Sequence, residues 1–336
     1  MDTLTRKTFT TSRDLTYTYY YHAGTNPALP TLLLQHGFPD DHNLWAPVLP
    51  YLLELSNSII APDLLGYGGT SKPTDPQKYD SKGMTTDLIE IIDHEKIQNI
   101  VSIGHDWGAF LAGRMWLWHP DRVVAVIILN VAYSPPSMEP FNLAKVNDLM
   151  EKFTGLPRFS YWEPFISDYG AKLLEDNLET VYTGIYGGGN AMEDLLCHKG
   201  ALERSIREGK PMPVKAYAES PALKEEWISR FRRDGFTGPL NWYKAQAANH
   251  HYNVEKDIPK DRFPITVPVL FIGASKDPVC LTQNIYMGQQ AGVLPDLKVE
   301  EVDSGHWQTL EVPEKTGPAM KKWLSEKEGV LGKAKM

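Results

Sequence analysis

The sequence predicts an α/β fold: a mostly parallel sheet flanked by helices, with a helical unit inserted into it. Three observations predict it. Up to about residue 131, short β-branched runs alternate with segments of helical spacing, the pattern of a parallel sheet with helices on both faces. From Ser134 to about Phe263 that alternation stops. This stretch reads as helices and loops, punctuated by Pro135-Pro136, Gly187-Gly188-Gly189 and Pro211-Met212-Pro213. At Val267-Pro268-Val269-Leu270-Phe271-Ile272-Gly273 a strand restarts. The predicted organisation is a core of residues 1–133 and 264–336, with a helical cap of residues 134–263 between.

Residues 8–21, rich in Thr and Tyr, predict two antiparallel strands turning near Arg13-Asp14. Residues 31–34 predict a buried strand running into His36-Gly37-Phe38-Pro39. Residues 43–55 carry Leu44, Val48 and Leu52 at helical spacing. Residues 58–63 predict a strand and residues 84–94 a helix. The run from Val101 is a strand that breaks at Gly104-His105-Asp106-Trp107-Gly108 and resumes as a helix. Further strands are predicted at 123–131 and 297–302, and a last helix at 316–324.

The 336 residues are 42 % hydrophobic and 23 % charged, an ordinary globular balance. A net charge of −8, with no basic run, gives no reason to expect a nucleic-acid partner. The longest apolar run, Val123 to Val131, is too short for a membrane span. Met1 to Lys7 lacks the apolar core of a signal peptide, and the two cysteines, Cys197 and Cys280, suggest a reducing compartment. The expected location is cytoplasmic, with Ala334-Lys335-Met336 resembling a relaxed C-terminal peroxisomal address.

The chemistry centres on Gly104-His105-Asp106-Trp107-Gly108. This is the G-x-S-x-G nucleophile elbow with aspartate in the serine position. Asp277 and His306 each follow a later strand, so nucleophile, acid and histidine occur in the chain order of an α/β-hydrolase fold. Asp277 is the expected acid that orients the imidazole, with a helix N-cap as its alternative role. Asp303 is the rival and reads as structural. His250-His251 is expected on the cap surface, and His36 and His105 in local hydrogen bonds.

A carboxylate, with a reference pKa of ~3.9, is already ionised and can attack an sp³ carbon without a base. The alkyl ester so formed needs an activated water and an oxyanion hole for its hydrolysis. The backbone N–H groups of Phe38 and Trp107 are the expected donors. A phenol such as Tyr161 or Tyr243 in the cap stays neutral at pH 7 and can protonate a leaving oxygen, although by composition alone a cap tyrosine more often packs in the core.

These residues resemble the soluble epoxide hydrolases of the α/β-hydrolase fold, from about Thr31 to Glu314. His36-Gly37-Phe38-Pro39-Asp40 looks like the family's H-G-x-P oxyanion segment, and Ala61 to Gly68 its next loop. Gly235 to Tyr243 and Tyr161-Trp162-Glu163-Pro164-Phe165 look like the two cap segments that carry ring-opening tyrosines; Tyr169 is the fallback for Tyr161. The resemblance implies catalytic roles for Asp106, Asp277, His306, Tyr161 and Tyr243. It implies substrate contacts from His36, Pro39, Trp162, Phe165, Trp242 and Trp307, an apolar epoxide and water as partners, and no metal or cofactor. A haloalkane dehalogenase would share Asp106-Trp107 but would often place Asn where Phe38 stands. A non-catalytic binding protein on the same fold would lack the nucleophile, acid or base.

Overall fold

The computed structural model describes residues 1 and 3–331. The C-terminal Ala334-Lys335-Met336, read as an address, lies outside the described residues. The chain divides into two compact units. The first comprises residues 1–71, 80–137 and 254–336; the second comprises 72–79 and 138–253.

The first unit holds an eight-stranded sheet: β1 (Thr5–Thr10), β2 (Thr16–His22), β3 (Thr31–Gln35), β4 (Ile59–Pro62), β5 (Ile100–His105), β6 (Val123–Leu129), β7 (Val269–Ala274) and β8 (Leu297–Val302). Its spatial order is β1-β2-β4-β3-β5-β6-β7-β8. The first two strands pair antiparallel, as does β2 with β4; the rest are parallel. Central β5, β6 and β7 are buried along their length, as their continuous apolar runs require when helices cover both faces. Edge strand β1 instead exposes Thr5, Arg6, Thr8 and Thr10, which discourages pairing with another chain. Parallel register aligns the carboxyl ends of the central strands: His105 pairs with Leu129, Leu129 with Ile272, and Ala274 with Val302. Residues just beyond those ends are thereby brought together.

Five helices matter below: α1 (Ser81–His94), α2 (Trp107–Trp118), α3 (Trp162–Ile166), α4 (Thr237–Ala247) and α5 (Pro313–Leu331). Four expected bounds shift, each for a local reason. The helix expected at 43–55 is a 3-10 turn, His42–Trp45, and a short helix, Leu49–Leu53; Pro47 lies between them and Pro50 opens the second. Helix α1 starts three residues early because Asp80 caps it by accepting the Gly83 N–H. Strand β6 stops at Leu129 because Asn130 takes φ +66°. The last helix extends in both directions, carrying Pro318 within it.

A buried ion pair in the first unit joins three of the places where the chain has just left, or is about to enter, the second. Arg114 on α2 grips Glu255 with Nε at 2.8 Å and Nη2 at 3.0 Å, while its Nη1 donates to Ser134 O at 2.6 Å. Ser81 also donates to Glu255. Arg114 is 5 % exposed and Glu255 2 %. Removing one partner strands a buried charge, so Glu255→Leu should lower unfolding free energy by about 3–5 kcal/mol, measured by urea titration. The double variant Arg114→Met/Glu255→Leu should lose much less.

The second unit is helical, as expected for that stretch, with one isolated bridge between Gly187 and Val214 among the described residues. His251, expected at the surface, is a correction. It is 2 % exposed, turned inward on the helix His250–Glu255.

Candidate active site

Asp106 sits at the turn between β5 and α2, with φ +55°. A non-glycine residue in that region is strained, and such strain is held by close packing around it. The flanking glycines permit the packing. A Cβ on Gly104 would lie 1.9 Å from Gly108 O, and one on Gly37 would lie 2.4 Å from Asp106 Cβ. The turn projects the carboxylate beyond the sheet, where the Phe38 N–H donates to Oδ1 at 2.8 Å and the Trp107 N–H also bonds the group.

His306 follows β8 and Asp277 follows β7. Their contact is direct: His306 Nδ1 to Asp277 Oδ2 is 2.6 Å. The other ring nitrogen, Nε2, is 3.6 Å from Asp106 Oδ2. Asp277 does not cap a helix, since the next one begins at Asn284, and its two oxygens meet different partners. Oδ2 meets His306, while Oδ1 accepts the N–H groups of Val279 at 2.9 Å and Cys280 at 3.0 Å. Asp303 is exposed and paired with Lys276 at 2.8 Å.

Burial pushes the Asp106 carboxyl up; His306 and the Phe38 and Trp107 N–H groups oppose this without cancelling it. Burial would raise Asp277 as well, but His306, the Cys280 N–H and Asn130 outweigh it and hold Asp277 below the usual carboxylate range. For His306 burial acts downward, and the charges of Asp277, Asp106 and Asp40 overcome it, lifting the imidazole to about 8.

Two of the expected substrate contacts in this unit, His36 and Trp307, are hydrogen-bonded to neighbouring loop atoms, and a third, Pro39, is buried. His36 is fully buried; its Nδ1–H donates to Gly37 O at 3.0 Å and its Nε2 accepts the Leu64 N–H at 2.9 Å, fixing the oxyanion segment. Pro39 is buried beside it. Trp307 donates through Nε1 to Asp40 Oδ2 at 2.9 Å. His105, expected to bond locally, reaches the main-chain oxygen of His306 at 2.9 Å, 201 residues away. Burial, then the nearby His306, lower His105 to about 3, so it stays neutral and donates.

Among the described residues, two groups have ligand atoms within 4.8 Å of one another, Asp277–Cys280–His306 and Asp41–His42–Asp63. In both, the imidazole Nδ1 is already 2.6 Å from a carboxylate oxygen. That spacing suits a shared proton and is too short for two ligands on one ion.

In the second unit, Tyr161 directly precedes α3 and Tyr243 lies on α4. Their rings meet edge to face with centroids 6.0 Å apart, framed by Trp162 at 5.0 Å and Phe165 at 5.1 Å from Tyr243. The neighbouring Trp242 is turned onto Tyr79 and is a packing residue, 0 % exposed. The fallback Tyr169 is exposed and donates to Glu203 at 2.9 Å.

The family described as alpha/beta hydrolase fold matches residues 30–313. Epoxide hydrolase A of Mycobacterium tuberculosis is 31 % identical over 303 residues, covering 89 % of this chain and 91 % of that protein. The chain belongs to the epoxide hydrolase family of the α/β-hydrolase fold. A structural match agrees with this: the crystal structure of epoxide hydrolase A from Mycobacterium thermoresistibile has a TM-score of 0.79 at 25 % identity, covering 96 % of this chain and 98 % of that one. Bifunctional epoxide hydrolase 2 of Rattus norvegicus is 29 % identical over 91 % of this chain but 53 % of its own length, so the chain spans about half of that relative.

Two site residues of this epoxide hydrolase family member escaped sequence reasoning. Asn130 Nδ2 donates to Asp277 Oδ2 at 2.9 Å, and Gln308 Nε2 donates to Asn130 Oδ1 at 2.6 Å. Asn130 was legible only as a polar residue closing an otherwise apolar run; Gln308 carried no signal.

Proposed function

We propose that this hydrolase converts an apolar epoxide to a vicinal diol through an ester on Asp106. What carries the reading is how the Asp106 carboxylate is held: Oδ1 by the Phe38 N–H at 2.8 Å, with Oδ2 on the side of His306 Nε2, 3.6 Å away. Oδ2 is therefore the attacking atom. It displaces the ring oxygen from carbon while Tyr161 and Tyr243 hold that oxygen and supply its proton. Oδ1 becomes the ester carbonyl oxygen and already faces the Phe38 N–H, one of the donors that its oxyanion will need.

In the second step neutral His306, oriented by Asp277, takes a proton from water. The hydroxide attacks the ester carbonyl carbon, the bond from that carbon to Oδ2 breaks, and the diol leaves carrying Oδ2. The regenerated carboxylate keeps one oxygen from water. A single turnover with enzyme in excess in ¹⁸O-water should thus yield unlabelled diol and labelled Asp106. Label in the diol at the first turnover would sink the covalent route. The dehalogenase alternative has less support, since Phe38 offers its backbone N–H but no side-chain N–H for a halide.

A further inference from the structure

We propose that Asn130 and Gln308 are positioning residues that fix the direction of the His306–Asp277 hydrogen bond, and so decide which ring nitrogen is left bare to accept a proton from water. The inference rests on His306 acting as the base of ester hydrolysis.

The argument starts at a main-chain carbonyl, which can only accept. Ile272 O, on β7, accepts the Asn130 backbone N–H at 3.1 Å and Gln308 Nε2 at 2.9 Å. The Gln308 amide is held at its other end, where Oε1 accepts from Thr316 Oγ1 at 3.2 Å on α5. Its NH₂ therefore faces Ile272 and Asn130, at 2.6 Å from Asn130 Oδ1. That fixes the second amide, so Asn130 presents its NH₂ to Asp277 Oδ2 at 2.9 Å. With Val279 and Cys280 donating to Oδ1 and Asn130 to Oδ2, the carboxyl meets donors on both oxygens, which favours its ionised, acceptor-only form. His306 Nδ1 must then be the donor in the 2.6 Å contact, which leaves Nε2 unprotonated in the neutral ring. Both amides are 0 % exposed, so neither has water as an alternative partner. Strand register supports the placement, since Leu129 pairs with Ile272 and Asn130 comes next.

The titratable groups facing His306 are Asp277, Asp106, Asp40 and His105, with Glu311 bonded to the adjacent Gly305 N–H. None of these is replaced in Asn130→Gly, which tolerates the positive φ, or in Gln308→Met, which keeps the reach but removes the amide that orients Asn130. Both variants should form the ester within about twofold of the wild-type rate. Both should hydrolyse it at least about tenfold more slowly, because a misdirected imidazole is costly to a base. The acid limb of hydrolysis should move to higher pH, as Asp277 Oδ2 loses a neutralising donor, either directly or because the Asn130 amide is no longer held. A mere packing defect would slow both steps and leave the limb in place. Hydrolysis within twofold of wild type with an unmoved limb overturns the proposal. Nitrogen-15 shifts of the wild-type ring above the limb give a second readout: Nδ1 protonated and Nε2 bare are expected, and the opposite tautomer overturns it. The parent reading fails separately. If His306→Gln turns over with no ester, that reading falls; if it accumulates ester while both amide variants behave as wild type, only the present inference falls.

Discussion

A His306→Gln variant mixed with a reactive epoxide should gain the mass of one substrate molecule and then stop. Glutamine keeps a polar group of similar reach but cannot take a proton from water, so general-base help worth on the order of 10²–10⁴ is lost from the second step alone. Attack by Asp106 Oδ2 needs no base, because the carboxylate is the nucleophile as it stands. Intact-mass spectrometry over minutes should show the ester rising to one equivalent, with diol release at least about a hundredfold slower than wild type. Turnover kept with no adduct would remove the scheme.

Replacing Tyr243 with Phe should act on the other half-reaction. Losing one proton donor to the ring oxygen should slow alkylation of Asp106 by roughly 10²-fold or more, with ester hydrolysis almost unchanged. Pre-steady-state kinetics would separate the two, and a variant in which only hydrolysis slows would contradict the phenol role. The pH profile locates the base independently. His306 acts only when neutral, and Asp277, Asp106 and Asp40 outweigh its burial to lift it to about 8. In the ester Asp106 no longer carries its charge, so hydrolysis should fall about tenfold per unit on the acid side of a limb that lies below 8, with Asp277 and Asp40 still opposing the effect of burial. Hydrolysis with no acid limb at all would mean that His306 is not its base.

Asp106, Asp277 and His306 were legible because each follows a strand whose apolar run is unmistakable, and parallel register does the rest. Trp242 was misplaced for a rotational reason. One step along a helix turns a side chain by about 100°, so the residue beside Tyr243 faces another way. His105 was misjudged because its partner lies on a loop 201 residues away, and no local pattern encodes that. The division into units also has a part that no composition shift announces. Residues 72–79 group with the second unit through contacts such as Asn241 Nδ2 to Pro73 O at 3.0 Å.

That division has a consequence for how such an enzyme can diversify. The carboxylate, the imidazole with its acid, and both oxyanion donors belong to the first unit, while the two phenols belong to the second. Under the proposed scheme, the apparatus that releases product is inherited separately from the residues that meet the incoming ring. Exchanging residues 138–253 for the corresponding segment of a relative could therefore recast which epoxide is accepted while leaving the deacylating chemistry as it was. The two steps can be selected for independently.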